Sequence, residues 1–218
     1  MSGRGELEAR NVSYRYSRAG PAVFDSVSIR ARRGELLVLT GPSGCGKSTL
    51  LFLLGLMLRP NEGVITFGGV PLSSARERER SRFRARDIGF VFQDAALDRS
   101  RTILSNICEP AVLNRVPRRE AVRTASDLLD QVGLDLPMCR RADGLSGGQA
   151  QRIALCRALI CNPQFVLADE PTGNLDAESE RLVLDRLQSE AGSGRTVVVV
   201  SHSDQVKARA SRAVEIRG

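Results

Sequence analysis

The sequence contains no tryptophan, only two tyrosines, Tyr14 and Tyr16, and a single histidine, His202. Lysine is almost as rare: of 32 basic residues, all but Lys47 and Lys207 are arginine. A side chain used once or twice can be followed to the place where it acts. Long apolar runs are missing as well. The longest, residues 50–58 with Gly55 inside it, falls far short of the ~20 residues that a membrane-spanning helix needs, so the chain is expected not to cross a membrane. Residues 1–8 have neither an apolar secretory core nor the acid-free character of a transit peptide, which points to the cytosol. Cys45, Cys108, Cys139, Cys156 and Cys161 are odd in number and include no CxxC pair, which argues against a disulfide framework or a zinc site. Most are expected to be small buried apolar residues.

What remains is the composition of an ordinary globule: 42% hydrophobic and 26% charged in 218 residues, enough for one large domain or a domain with an inserted lobe. A net charge of +7 invites a nucleic-acid or acidic-membrane reading. The arginines are spread beside 25 acidic residues, however, so most read as solvated faces. Strand patterns at 7–16, 23–30 and 35–40 open the chain, and a helical pattern runs from Gly46 through Met57 until Arg59-Pro60-Asn61-Glu62-Gly63 breaks it. Short strands at 64–67 and 88–92 follow. Between Asp94 and about Leu159 no strand is evident; helices at 103–113 and 118–132 suggest an inserted α-helical lobe. Strands at 165–168, 196–200 and 213–216 then alternate with helices at 177–190 and 203–210. Apolar strands alternating with helices predict an α/β fold with a parallel sheet covered on both faces. Arg76, Arg78, Arg80, Arg82, Arg84 and Arg86 recur at period two, but a helix is preferred there, with Glu77 and Glu79 pairing with Arg80 and Arg82 three residues on.

Gly41-Pro42-Ser43-Gly44-Cys45-Gly46-Lys47-Ser48-Thr49 fits GxxxxGK[ST] and lies between a predicted strand and a predicted helix, the context this motif requires. Its glycines let backbone N–H groups wrap a polyphosphate, helped by the positive end of the helix. Lys47 is expected to reach the β- and γ-phosphates and Ser48 to ligate Mg2+. The apolar run 165–168 ends in Asp169 and Glu170, with Asp169 expected to hold Mg2+ through water and Glu170 to orient and polarise the attacking water. At Leu145-Ser146-Gly147-Gly148-Gln149 two glycines precede a helical pattern, and Ser146 with the exposed N–H groups suggests a second phosphate-binding helix end.

The set GPSGCGKST, LSGGQ followed by Gln151-Arg152, LADEP and a histidine after an apolar strand resembles the ATP-binding cassette (ABC) nucleotide-binding domain over nearly the whole chain. The resemblance implies a P-loop NTPase fold: a mostly parallel sheet core, an N-terminal antiparallel β subdomain and a helical subdomain inserted over about 94–160, all in one domain spanning 1–218. It implies ATP and Mg2+ as cofactors and ATP hydrolysis as the activity. Tyr16 looks like the aromatic that stacks on adenine, with Tyr14 competing. Gln93 looks like the loop glutamine that contacts Mg2+ or water and links the site to a membrane partner. Asp176, in Pro171-Thr172-Gly173-Asn174-Leu175-Asp176, matches the loop that crosses a dimer interface, and His202 matches the switch histidine on the γ-phosphate. The family's composite site implies a head-to-tail homodimer, with the loop 41–49 of one copy facing Ser146, Gly147, Gly148 and Gln149 of the other.

FVFQ, the pair Glu109-Pro110 and LADEPTGNLD resemble the lipoprotein-releasing, macrolide-exporting and cell-division (FtsE-like) group. That implies a separate integral membrane permease subunit of the FtsX or MacB kind, coupled to export, extraction or mechanical signalling. It also implies a prokaryotic cytoplasmic chain peripheral to the inner membrane. Asp98-Arg99-Ser100-Arg101 and Ala142-Asp143-Gly144 depart from the group's pattern, the first where the partner would dock. Two alternatives stand beside this reading. An importer-type ATPase subunit often carries a C-terminal regulatory extension, whereas this sequence stops soon after its last strand. A nucleic-acid-directed ABC ATPase generally carries coiled-coil, zinc or tandem-cassette insertions, which the sequence lacks, so no specific nucleic acid is expected as a partner.

Overall fold

The computed structural model describes residues 5–17, 19–173 and 175–216. The expectations for residues 1–4 and for Asn174 therefore lie outside the described residues. Nine strands and seven helices are described: β1 Leu7–Tyr14, β2 Phe24–Ala31, β3 Leu36–Thr40, α1 Lys47–Leu54, β4 Glu62–Phe67, β5 Val70–Pro71, α2 Glu77–Asp87, β6 Ile88–Val91, α3 Ile103–Leu113, α4 Arg118–Gln131, α5 Gly147–Leu159, β7 Phe165–Asp169, α6 Ala177–Gly192, β8 Thr196–Val200, α7 Asp204–Arg209 and β9 Arg212–Glu215. One sheet is antiparallel in the order β2-β1-β4-β5, and the other is parallel in the order β6-β7-β8-β3-β9.

The central strands β3, β7 and β8 are buried on both faces, which is why they read as unbroken apolar runs, whereas the edge strand β9 is largely exposed. Alternate residues feed two cores. Leu36, Val38, Val166, Ala168, Val197 and Val199 face the side holding α3, α4, α5 and α6. Leu37, Leu39, Phe165, Leu167, Val198 and Val200 face the other side, where α1 supplies Leu50, Leu51, Leu53 and Leu54 beneath the antiparallel sheet. Helix α1 thus lies between two sheets, with six of its eight residues buried. It ends earlier than its apolar pattern suggests. Gly55 caps it, and Leu56 adopts a left-handed backbone with φ 57°, so the apolar run continues as packed irregular chain rather than helix through Met57.

The arginine-rich stretch is indeed helical, as α2, but its arginines do not simply scatter into solvent. Arg80 is 2% exposed. It donates to the Leu56 and Leu58 carbonyls at 2.6 and 2.7 Å and to Glu77 at 2.6 Å, while Arg84 donates to Leu56 and Glu77. Two cations therefore close the carbonyl-rich end of α1, where a positive charge is favoured. Burial lowers the Arg80 guanidinium from its ordinary pKa. Glu77 pairs with Arg80 as expected, but Glu79 accepts from the Arg76 backbone N–H instead of pairing with Arg82. The strand expected to run over residues 7–16 stops at Tyr14, leaving Tyr16 in the following bend. The short strand β5 carried no detectable pattern. Of the cysteines only Cys156 is buried; Cys139 is exposed and the other three are half-buried. Among the described residues no helix is long and apolar enough to cross a membrane.

Candidate nucleotide site

Four parallel strands end along one edge of the sheet, and the segments that leave them carry the candidate side chains. From β3 the chain enters the loop 41–46 and then α1. Glycine is required at both ends of that loop. A Cβ on Gly41 (φ 144°) would overlap the Ile216 carbonyl, and one on Gly46 (φ 90°) would overlap Val23 Cγ1. Pro42, Ser43 and Gly44 are exposed, whereas Lys47 and Thr49 are buried at the start of α1. Lys47 Nζ arches back over the loop, donating to the Gly41 carbonyl at 3.0 Å and the Pro42 carbonyl at 2.8 Å. Cys45 Sγ lies 3.9 Å from the same ammonium.

Ser48 donates its hydroxyl to Asp169 Oδ1 at 2.9 Å, tying the start of α1 to the end of β7. Burial pushes the Asp169 carboxyl above the usual carboxylate range, against the opposing pull of the Ser48 hydrogen bond and the Lys47 charge. The next residue, Glu170, has a left-handed backbone, φ 43°, locked by its N–H donating to the Val200 carbonyl at 2.9 Å. This geometry turns consecutive carboxylates in different directions. Glu170 Oε1 faces His202 Nε2 at 3.6 Å. Tyr16 is 67% exposed; its hydroxyl bonds Thr49 Oγ1 at 2.8 Å and its ring meets Tyr14 edge-on at 5.1 Å. Tyr14 is buried in β1, so of the two tyrosines only Tyr16 presents a ring to the site.

A cleft of about 590 Å³ joins Tyr16, Ser43, Gly44, Gly46, Lys47, Ser48, Thr49, Gln93, Glu170 and His202, together with Val23, Gly173 and Val200. Ser146, Gly147, Gly148, Gln149 and Asp176 do not line it. They form a second focus. Ser146 Oγ accepts from the Gln149 N–H at 3.2 Å and Gln149 Oε1 accepts from the Ser146 N–H at 3.1 Å, so the Gln149 side chain closes a capping box at the start of α5. Asp176 caps α6, accepting from the Ser179 N–H and hydroxyl, both at 2.8 Å; these bonds hold its carboxyl below the usual range. Gly148 packs against Ser179, and Ser146 and Gly147 are exposed.

Sequence reasoning missed Arg157. Its guanidinium donates to the Ala95 and Ala96 carbonyls, each at 2.6 Å. Both alanines are left-handed, with φ 61° and 47°, and only Asp94 separates them from Gln93. Gln151 Nε2 adds a bond to the Phe92 carbonyl at 3.0 Å, so the helix that begins at Ser146 holds the loop that carries Gln93. The available signal was an arginine inside the otherwise apolar run of α5. The two departures from the family pattern also prove to be neighbours: the Ala142 N–H donates to the Arg101 carbonyl at 3.0 Å, and Arg99, Ala142 and Gly144 line one small hollow.

A glycine-bounded loop at a helix N-terminus, a lysine folded over it and an Asp-Glu strand end beside it define a P-loop NTPase. Residues 24–173 match the ABC transporter family, and the chain belongs to that family, whose members bind ATP and are ATPases. It is 36% identical to the lipoprotein-releasing system ATP-binding protein LolD of Syntrophus aciditrophicus, covering 97% of this chain and 96% of that protein. It is 38% identical to the macrolide export ATP-binding/permease protein MacB of Nitrosomonas europaea, covering 97% of this chain but 32% of that longer protein. The ATP-binding cassette MJ0796, solved as a dimer in a post-hydrolysis state bound to ADP and Pi, superposes with a TM-score of 0.88 at 30% identity, over 97% of this chain and 94% of that one.

Proposed function

We propose that this chain is the ATP-hydrolysing subunit of a complex that drives export, extraction or mechanical signalling through a separate membrane subunit of the FtsX or MacB kind. The carrying observation is the division of the functional residues into two foci. Tyr16, Ser43, Gly44, Gly46, Lys47, Ser48, Thr49, Gln93, Glu170 and His202 share one cleft, while the exposed Ser146 end of α5 stands outside it. Two copies placed head to tail bring each cleft against the other's Ser146, Gly147, Gly148 and Gln149, with Asp176 near the seam. The dimeric cassette MJ0796 supports the pairing of two copies.

Within the site, Tyr16 stacks on the base, loop N–H groups and Lys47 hold the phosphates, and His202 contacts the terminal one. The residues fit Mg2+: Ser48 Oγ and Asp169 Oδ1 are oxygen donors 2.9 Å apart, with Gln93 on the same cleft, and a small hard cation takes few protein oxygens and keeps its waters. Bound there, it neutralises phosphate charge. Glu170 accepts the proton of the attacking water, and His202 beside it steadies the carboxylate.

The membrane subunit docks in the cleft of about 490 Å³ bordered by Phe90, Phe92, Ala96, Pro110, Leu113 and Arg157. Leu113, 72% exposed on its lining, favours an apolar partner surface. The relatives LolD and MacB support the export group, and this reading places one cassette, with the lobe at 94–160 as the arm that meets the partner, on the cytoplasmic face of a membrane. Glu170→Gln keeps the shape of the site but removes the base. Light scattering is expected to show an ATP-dependent dimer with hydrolysis reduced at least a hundredfold; a variant that stays monomeric in saturating ATP refutes the composite site.

A further inference from the structure

Helix α2 uses its two faces differently. Arg80 and Arg84 turn inward to the carbonyls of residues 56 and 58. Arg76, Arg78, Arg82 and Arg86 are exposed on the opposite side. Arg86 pairs with Asp87 at 2.8 Å, but Arg76, Arg78 and Arg82 make no ion pair among the described residues. The four guanidiniums surround a cleft of about 530 Å³ whose apolar floor is Leu72 and Phe83. Glu79 is its single acid, and its carboxylate is engaged by the Arg76 N–H. Phe83 is fixed by Phe67, with ring centroids 4.7 Å apart.

Unneutralised guanidiniums around a rigid apolar floor suit an amphiphile with an anionic phosphate head and an apolar neck. Planar guanidinium donors match phosphate oxygens in pairs, and the volume is that of a ligand pocket. A polynucleotide fits less well. Three free cations on eleven residues fall short of the 6–10 phosphate contacts typical of such binding, and the Phe83 ring is packed between Phe67 and Phe165 rather than open for stacking.

We propose that this cleft binds the headgroup of an anionic phospholipid. The inference rests on the proposed work at a membrane. Ser81, Arg84 and Ala85 on the other side of α2 line the cleft assigned to the membrane subunit, so the two clefts stand about one helix diameter, ~10 Å, apart. A cassette seated on its partner then has the basic cleft close to the headgroup layer.

The test is co-sedimentation of the full chain with phosphatidylglycerol/phosphatidylcholine vesicles and with pure phosphatidylcholine vesicles. Each arginine near an anionic surface contributes about fivefold in partitioning, so Arg76→Gln/Arg78→Gln/Arg82→Gln is expected to lose on the order of a hundredfold. Arg118→Gln/Arg119→Gln/Arg123→Gln, which removes the same charge from α4, is expected to bind as the wild type does, and millimolar glycerol phosphate is expected not to displace the vesicles. The proposal is overturned if both triple variants lose binding equally, if the α2 variant binds within twofold of the wild type, if glycerol phosphate competes completely, or if duplex DNA binds this cleft and vesicles do not. ATPase measured without vesicles is expected to be unchanged in the α2 variant. A chain that binds vesicles but fails the Glu170→Gln test separates this inference from the functional one.

Discussion

Replacing Arg157 with methionine removes the clamp on the loop that carries Gln93 while keeping an unbranched side chain in α5. The clamp consists of two bonds of 2.6 Å to the Ala95 and Ala96 carbonyls. Hydrogen bonds to a charged group contribute about 1.5–3 kcal/mol each, so the pair contributes about 3–6 kcal/mol. Against it stands the cost of two successive left-handed alanines, about 1–2 kcal/mol each. Burial already lowers the Arg157 pKa from its ordinary value, which places the true contribution toward the lower end. Once the clamp is gone, the strain of about 2–4 kcal/mol alone leaves the native loop in fewer than about one molecule in 30. The Gln151 and Asn106 bonds to the Phe92 and Asp98 carbonyls recover part of this. The expected result is a fall in kcat of at least about tenfold, with KM for ATP changed less than about threefold, because Tyr16 and the loop 41–49 sit on other strands. Hydrogen exchange at residues 93–98 is expected to speed up in parallel. Ala95→Gly/Ala96→Gly removes the strain, since glycine enters the left-handed region freely, and in the methionine background it is expected to restore much of kcat. An unchanged kcat with unchanged exchange, or a glycine pair that restores nothing, refutes the argument.

Arg80→Met is expected to lower stability by about 2–4 kcal/mol in urea titration, because the Leu58 carbonyl is left without its guanidinium donor at 2.7 Å; a loss under about 0.5 kcal/mol would show that the buried ion had given little net stabilisation. Asp169→Asn is expected to raise the Tm of the nucleotide-free protein at neutral pH while abolishing hydrolysis. The folded-state pKa of Asp169 is raised by burial, so its favourable contribution is present below the unfolded value and is lost as pH rises through the folded one; the Tm gain is expected to vanish in acid below the ordinary Asp pKa of about 4. Gly148→Ala brings a Cβ to 2.7 Å from Ser179 Cβ and forces apart the starts of α5 and α6, with about 1–3 kcal/mol of destabilisation in thermal melts and weaker ATP-dependent dimerisation.

Much of this was legible because it depends on local rules. Strands β3, β7 and β8 are buried on both faces, so they appear as unbroken apolar runs, and the loop 41–49 needs glycines at fixed spacing that few other structures need. His202 and Tyr16 were traceable because they are rare. The expected groups also divide in space, with Ser146 and Asp176 outside the cleft that Lys47 lines. Other features depended on contacts between distant segments. Six arginines at period two read as a solvated helix, and nothing local distinguishes Arg80, which enters the interior to meet residues 56 and 58, from Arg78 or Arg82, which do not. Spacing alone makes Glu79 read as an ion-pair partner, because it does not reveal competition from a backbone N–H. Arg157 was passed over for a similar reason: its partners lie some sixty residues earlier, in a loop whose left-handed backbone no alanine advertises.

The order of the parallel strands has a mechanical consequence. Gln93 follows β6, Asp169 ends β7 and Glu170 follows it, His202 follows β8, and the phosphate loop follows β3. Neighbouring strands stand about 4.8 Å apart, so the sheet acts as a ruler that fixes the sequence and spacing of the whole row. Strands β7, β8 and β3 are each bonded on both sides, but β6 has one neighbour and four residues. A pull on the phosphate loop or the carboxylates would have to tear two ladders, whereas β6 gives way against one. The single compliant tick on the ruler is thus the one that carries Gln93, next to the cleft assigned to the partner, and the rest of the row stays in place while that end yields.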